Sequence, residues 1–372
     1  MHIRWVAGLA FFGSVVAGVS LLAQQAASSP QSSANPPTIM VNAHLVNLPV
    51  VVRDKNGALV QNLTQADFAL SVDGHPQTIR YFDKDNDLPL TLGLLIDTSG
   101  SVRSALDDER TASEAFLDQM MREGNGAGGA GQSGTSHAPD EAFLIQFAHE
   151  ADLLQNLTVS RPKLREALSQ VGVESRDEDQ SGKNGNSGYG GYGHHHGGHG
   201  AGGTTLYDAV YLASNQLMQK QQGRKALVVL TDGEDRGSME TLASAVAAAQ
   251  RTETVVYAIY FKGEQHGNGG HGGGWGGGGR GGYGHGGEKP VDGKKVLAQM
   301  TGETGGRMFE VSGKQTFAAI YTQIGEELRS QYRLGYTPDA AAAAEGFHRV
   351  ELTLTKDKKL FVQTRDGYFA GE

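Results

Sequence analysis

An α/β fold with a doubly wound, mostly parallel sheet is what this 372-residue sequence predicts, with β segments at both ends of the chain. Three observations carry that expectation. Between about residues 88 and 335, short apolar runs alternate with helix-period patterns, which implies strands side by side with helices on both faces. The run Ala226 to Leu230 is wholly apolar, as a strand covered on both faces should be. The two flanks lack helical patterns and alternate at period two, most clearly in His348 to Thr355.

Within the central region, Leu90 to Ile96 reads as a buried strand and Arg103 to Met121 as a helix with Ala105, Ala112, Phe116 and Met120 inward. Asp107, Asp108 and Glu109 on that helix are expected to face solvent near its N-terminal half, where the macrodipole favours negative charge. Ala142 to Ala148 is the next strand, with Ala151 to Leu157 as its hairpin partner. Arg161 to Leu168 opens a helix capped by Ser160, with Pro162 in its first turn. Helices are further expected at Leu206 to Gln219, Met239 to Gln250, Val291 to Met300 and Phe317 to Leu328. Thr254 to Tyr260 and Arg307 to Val311 complete the strands.

At the flanks, Asn42 to Asp54 and Phe68 to Asp73 read as strands with turns at Asp54-Lys-Asn-Gly57 and Asp73-Gly74. His348 to Thr355 and Leu360 to Thr364 supply strands at the other end, and His44 and His348 in these strand patterns are expected to be structural. Neither flank alone holds enough strands for a core. The expectation is that they pair into one small β-sandwich, with the α/β region inserted between them.

The N-terminus reads as an export signal. His2 and Arg4 precede the apolar stretch Trp5 to Leu22, and small residues follow around Ala23 to Ala27. Residues 1–27 are therefore expected to be a signal peptide, or an anchor if left uncleaved, and 28–39 a flexible linker. The expected location is secreted, periplasmic or cell envelope. Three Gly-rich segments, 124–137, 175–203 and 263–288, cannot bury enough apolar surface to offset chain entropy and should be disordered loops. The second carries His194, His195, His196 and His199, an imidazole cluster suited to transition metals. A net charge of −9 argues against a nucleic-acid partner, which would need a basic face. Cysteine is absent, which excludes disulfides and thiolate metal sites.

The chemistry-bearing motif is Asp97-Thr98-Ser99-Gly100-Ser101, directly after the first buried strand. One carboxylate and two hydroxyls at alternate positions converge if the chain turns sharply there, and such oxygen ligands suit a hard cation such as Mg²⁺. Two further segments place oxygen-bearing side chains beyond a Gly turn or strand end: Gly202-Gly203-Thr204-Thr205 and Thr231-Asp232-Gly233. Ligands of open α/β sheets bind at the carboxyl ends of strands, where Asp97 and Asp232 both fall. Competing chemistries fit less well. The extra Ser after Thr98 spoils an aspartic-protease triplet, and no second such triplet follows to pair with it. Neither a phosphate-loop motif nor a Gly-x-Ser-x-Gly elbow is present.

These residues resemble the metal-ion-dependent adhesion site of the von Willebrand factor type A (VWA) family, whose pattern is Asp-x-Ser-x-Ser, a distant Thr, then an Asp after a central strand. Carried over, the resemblance gives Asp97, Ser99, Ser101, Thr204 and Asp232 as the metal-binding set. The flanking motifs Leu63-Thr-Gln-Ala-Asp-Phe68, Gln331-Tyr-Arg-Leu-Gly-Tyr-Thr-Pro338 and Arg365-Asp-Gly-Tyr368 are similar to an Acidobacterial VWFA-related family. The implied organisation is an N-terminal β segment over 40–86, a VWA domain over 87–331 and a C-terminal β segment over 332–372. The resemblance implies a non-enzymatic adhesion module. Its bound Mg²⁺, with Mn²⁺ or Ca²⁺ as alternatives, would recruit an acidic side chain of a protein partner. An envelope structural or transition-metal-binding protein acting through the Gly/His loops is the second expectation. A metal-dependent hydrolase is the third, weakened because only Glu234 and Asp235 offer themselves as a general base.

Overall fold

The computed structural model describes residues 45–84, 88–121, 139–172, 203–262, 292–339, 341–356 and 359–371. The expected signal peptide, the linker, His44 and nearly all of the three Gly-rich segments lie outside the described residues. The described residues all fall in one compact unit. Among the described residues no helix is long and apolar enough to cross a membrane.

The chain begins with strands β1 (Val46–Arg53), β2 (Phe68–Val72), β3 (His75–Gln77) and β4 (Ile79–Lys84). The α/β region follows: β5 (Leu90–Asp97), α1 (Leu106–Met120), β6 (Glu141–Phe147), β7 (Ala151–Thr158), α2 (Arg161–Gln170) and α3 (Leu206–Leu212). It continues with β8 (Arg224–Thr231), α4 (Leu242–Arg251), β9 (Val255–Tyr260), α5 (Gly293–Thr304), β10 (Met308–Glu310) and α6 (Phe317–Arg329). The chain then closes on β11 (Tyr332–Tyr336), β12 (Gly346–Leu354), β13 (Phe361–Gln363) and β14 (Gly367–Ala370).

The central sheet has the order β10-β9-β8-β5-β6-β7, all parallel except the antiparallel edge strand β7. Successive strands grow outward from β5 on one side and from β8 on the other, so the order reverses between these two. Side chains alternate across the sheet, and each face takes its own core. On one face Leu92, Leu94 and Ile96 meet Phe116, Leu164, Ile320 and Ile324 from α1, α2 and α6. On the other Leu95, Leu227 and Val229 meet Val210, Val246 and Leu297 from α3, α4 and α5. The doubly wound α/β class expected from the alternation is what the chain adopts.

Three local departures have physical causes. The α3 helix runs on as a π-helix over Ala213–Met218, closed by Gln219 N donating to Ser214 O at 3.0 Å, where the sequence predicts an unbroken helix. The helix expected from Met239 begins instead at Leu242. Thr241 caps it, accepting from Ser244 N at 3.1 Å, and Asp208 captures the amides of Met239 and Glu240 before they can enter the helix. Glu109, expected in solvent, is fully buried, whereas Asp107 and Asp108 are exposed. It lies one turn from both Ala105 and Ser113 on the face of α1 that meets α6, so the helical period carries it inward.

Both flanks contribute strands to each of two four-stranded sheets, β13-β1-β11-β4 and β14-β12-β2-β3. Between them lies a third core, with Leu48, Val50, Phe68, Leu70, Tyr332, Leu334, Val350 and Leu352 among its members. Phe68, Phe82 and Tyr332 cluster there with ring centroids 5.5–5.8 Å apart, Phe82 stacked on Tyr332 and Phe68 meeting Tyr332 edge-on. Arg53 and Arg365 tie these sheets to the α/β region. Arg53 at the end of β1 forks onto Glu327 of α6 at 2.8 and 3.2 Å. Arg307 approaches the same carboxylate at 2.5 Å. Arg365 donates to the carbonyls of Asn47 and Gln250 at 2.7 and 3.1 Å.

His348 on β12 is structural, as its strand setting suggests. Its Nδ1 lies 2.8 Å from Asp73 Oδ2 and its Nε2 lies 2.7 Å from Ala344 O. Both partners are acceptors, so only the doubly protonated ring satisfies both. Burial opposes that charge, but the Ala344 carbonyl and the Asp73 carboxylate outweigh it and raise the pKa above its ordinary 6.5. A His held above its unfolded pKa adds stability that is complete below that pKa and lost as pH rises through the folded value. Thermal melts should therefore lose stability as pH rises above about 6.5 in the wild type. His348→Phe should flatten that slope; equal slopes would show that the ring is neutral in the fold.

Candidate metal centre

Asp97 ends β5 in the middle of the sheet, fully buried. Its backbone neighbour across the ladder is Phe147, whose carbonyl accepts from Thr98 N at 2.9 Å and so turns the chain over the strand ends. The carboxylate is held at both oxygens. Oδ1 accepts from Ser99 N at 2.8 Å, and Oδ2 accepts from the Thr231 hydroxyl at 2.7 Å. The first closes an Asx-type turn that fixes the Asp97–Ser99 loop. The second joins the ends of β5 and β8, the two strands between which the order reverses. The turn that follows brings Ser99 Oγ and Ser101 Oγ within 3.1 Å of each other.

Thr204 is buried and Asp232 nearly so. The Thr204 segment docks on the same rim: Thr205 N donates to Ala148 O at 2.8 Å, one residue beyond Phe147. The Thr204 carbonyl accepts from Arg236 N at 3.0 Å, and Arg236 lies in the loop that begins with Asp232. Asp232 Oδ1 accepts from Glu234 N at 3.0 Å. Gly233 follows with φ of +75°, and a Cβ there would come within 2.4 Å of the Gly293 carbonyl oxygen at the start of α5. Only glycine tolerates that conformation and that approach, so the helix start locks the backbone under Asp232.

The structure thus carries the Asp97-Ser99-Ser101 turn, Thr204 and Asp232 on one carboxyl edge of the sheet, linked through Thr231, Ala148 and Arg236. Glu234 and Asp235 are loop charges: Glu234 pairs with Arg236 at 2.5 Å, and Asp235 accepts from Tyr207 N at 3.2 Å and from Ser238 Oγ at 2.6 Å. Two participants escaped the sequence reading. Thr231 orients Asp97, and a hydroxyl closing an otherwise apolar strand was the available signal. His149 reaches the rim by accepting from Gly203 N at 3.3 Å, a meeting of distant loops with no local sequence mark.

Burial pushes the Asp97 carboxyl up to about 6, against the lowering effect of its bonds from Ser99 and Thr231, and the nearby Asp232 charge adds to the rise. A carboxylate so placed is fixed in direction by its two donors while each oxygen keeps a second acceptor position. With two carboxylates and three hydroxyls, the donor set is all hard oxygen and fits Mg²⁺, Mn²⁺ or Ca²⁺ better than a thiophilic ion. Among the described residues no three His, Cys, Asp or Glu side chains gather into a group that could hold a metal ion.

Residues 92–234, which hold all five of these side chains, match the family model of the von Willebrand factor type A domain. No curated protein matches the chain. Among solved structures, a von Willebrand factor type A protein from Catenulispora acidiphila is similar at 12% identity, covering 89% of this chain and 75% of that one, with a TM-score of 0.42. The conserved hypothetical protein BatB from Bacteroides thetaiotaomicron is similar at 15% identity over 64% of this chain and 98% of that one, TM-score 0.38. Proximal thread matrix protein 1 from the mussel byssus, solved with a zinc-occupied MIDAS motif, shares 12% identity over 69% of this chain and 49% of its own, TM-score 0.40.

Proposed function

Taking the type A match over residues 92–234 as premise, we propose that this protein is an exported, non-enzymatic binding module that holds a divalent cation through Asp97, Ser99, Ser101, Thr204 and Asp232 and through it engages an acidic residue of a protein partner. The observation supporting it is the Thr231-braced Asp97 carboxylate beside the paired Ser99 and Ser101 hydroxyls, at the point where strand order reverses. Bound there, Mg²⁺, or Mn²⁺ or Ca²⁺ in its place, supplies an electrophilic position open to a carboxylate.

The side chains set up that chemistry by what they withhold. Ser99, Ser101 and Thr204 bring no formal charge, so only Asp97 and Asp232 offset the cation. Thr231 and Ser99 N hold Asp97 in one direction, and the Gly233–Gly293 contact does the same for the Asp232 backbone. Export is expected from the apolar stretch Trp5 to Leu22, and it would place this rim in the periplasm, in the envelope or outside the cell.

Isothermal titration of Mg²⁺ into the chelator-stripped protein should give a single saturable site. Asp97→Ala should abolish it, and Thr204→Val should weaken it. Thr231→Val, which removes only the brace behind Asp97, should cost roughly 10- to 100-fold in affinity, the usual effect of losing an outer-shell partner. Unchanged Mg²⁺ affinity in Asp97→Ala would remove the proposal.

A further inference from the structure

Four of the five candidate ligands take their place from a strand end. Asp97 closes β5, Ser99 and Ser101 lie in the turn after it, and Asp232 follows β8 directly. Thr204 has no such support. It stands between Gly203 and Thr205, the residue at the N-cap of α3, so its position on the rim must be imposed by neighbours.

The β6–β7 hairpin imposes it. Two successive hairpin residues hold the backbone amides on either side of Thr204: Gly203 N donates to His149 Nδ1 at 3.3 Å, and Thr205 N to Ala148 O at 2.8 Å. A third bond, from Arg236 N at 3.0 Å, takes the Thr204 carbonyl itself. Of these three, only the His149 bond is made by a side chain. It also falls where the chain is least constrained, since Gly203 follows another glycine and such backbone loses the most freedom on ordering. The fit is close: a Cβ on Gly203 would lie 3.2 Å from His149 Nδ1 and 3.9 Å from the Arg236 carbonyl oxygen. The ring is exposed, so its replacement removes this bond without opening the core.

We infer that His149 is a positioning residue for the metal site: from the β6–β7 hairpin it holds the amide that precedes Thr204 and so keeps Thr204 on the rim. Such partners behind a ligand set its orientation and contribute measurably to metal affinity. The inference rests on the metal-site reading above and adds to it a residue that itself holds no cation.

Mg²⁺ titration of the full-length, chelator-stripped protein tests it. His149→Ala should weaken binding about 3- to 10-fold, the net worth of one hydrogen bond. His149→Asn should restore most of that loss, because its Oδ1 sits one bond beyond Cγ, as Nδ1 does in histidine. Introduced into Thr204→Val, His149→Ala should cost nothing further, since its effect passes through the Thr204 hydroxyl. The urea midpoint of His149→Ala in EDTA should equal that of wild type. Unchanged Mg²⁺ affinity in His149→Ala, no recovery in His149→Asn, an equal loss in the Thr204→Val background, or a lowered urea midpoint overturns the positioning role and leaves the metal site standing. A wild type that binds no Mg²⁺, or binding that survives Asp97→Ala, overturns the metal reading and the role of His149 with it.

Discussion

Glu109→Met should make the protein more stable than wild type at pH 8, by up to about 3 kcal/mol, with the advantage fading toward pH 4.5. Glu109 is fully buried on α1 against α6. Ser113 Oγ donates to its Oε1, Tyr321 Oη lies 3.1 Å from the same oxygen, and the two hydroxyls are 2.6 Å apart. Oε2 has no hydrogen-bond partner among the described residues. Burial pushes this carboxyl up to about 7; the bonds from Ser113 and Tyr321 and the Arg110 charge pull it down only in part.

The sign follows directly. Between the ordinary glutamate value of 4.5 and about 7, the folded state keeps a proton that the unfolded chain releases. Stability therefore falls as pH rises through that window and levels off above it. Methionine of similar length removes the charge, and Ser113 and Tyr321 can still satisfy each other. Urea unfolding of both proteins at pH 4.5, 6 and 8, in chelator, measures the difference. Asp97 has the same sign but is common to both proteins, so it cancels. Parallel pH profiles would mean that water or rearrangement solvates Glu109.

Glu327→Ala should cost about 3–5 kcal/mol, the usual result of stripping one partner from a buried ion network. The Glu327 carboxylate is 3% exposed and neutralises two guanidinium groups, Arg53 at 8% and Arg307 at 32%. Without it, two cations share one enclosed space. Because Arg53 belongs to the β-sandwich and Glu327 to α6, the urea transition should also broaden or split as the two parts uncouple. The double variant Arg53→Met with Glu327→Met should recover much of the loss, since apolar packing often replaces a buried pair without cost. A single, unshifted transition in Glu327→Ala would show the network to be dispensable.

How much of this was legible in the sequence depended on range. The central strands announced themselves because residues covered on both faces are apolar at nearly every position, as in Leu90 to Ile96 and Ala226 to Leu230. Asp97 and Asp232 could be placed at strand ends for the same reason. Glu109 was readable in principle: it falls on the period of Ala105, Ala112, Phe116 and Met120, but its charge argued for solvent, and only the hydroxyls of Ser113 and Tyr321 explain why it is tolerated. Met239 was misplaced because Asp208, a residue of another helix, decides where α4 starts. The three-residue strand β3 carried too few residues to show a period, and the Arg53–Glu327 pair joins positions 274 apart, beyond any local pattern.

The pairing of β1 with β11 and β13 has a kinetic consequence. During synthesis from the N-terminus, the first strand is made long before either strand it will zip against. Closing so wide a loop is entropically slow unless the intervening residues have already collapsed. The nascent chain therefore depends on the central sheet forming first and drawing its own ends together, and until then the early β-hairpins present bare edges to whatever else is nearby.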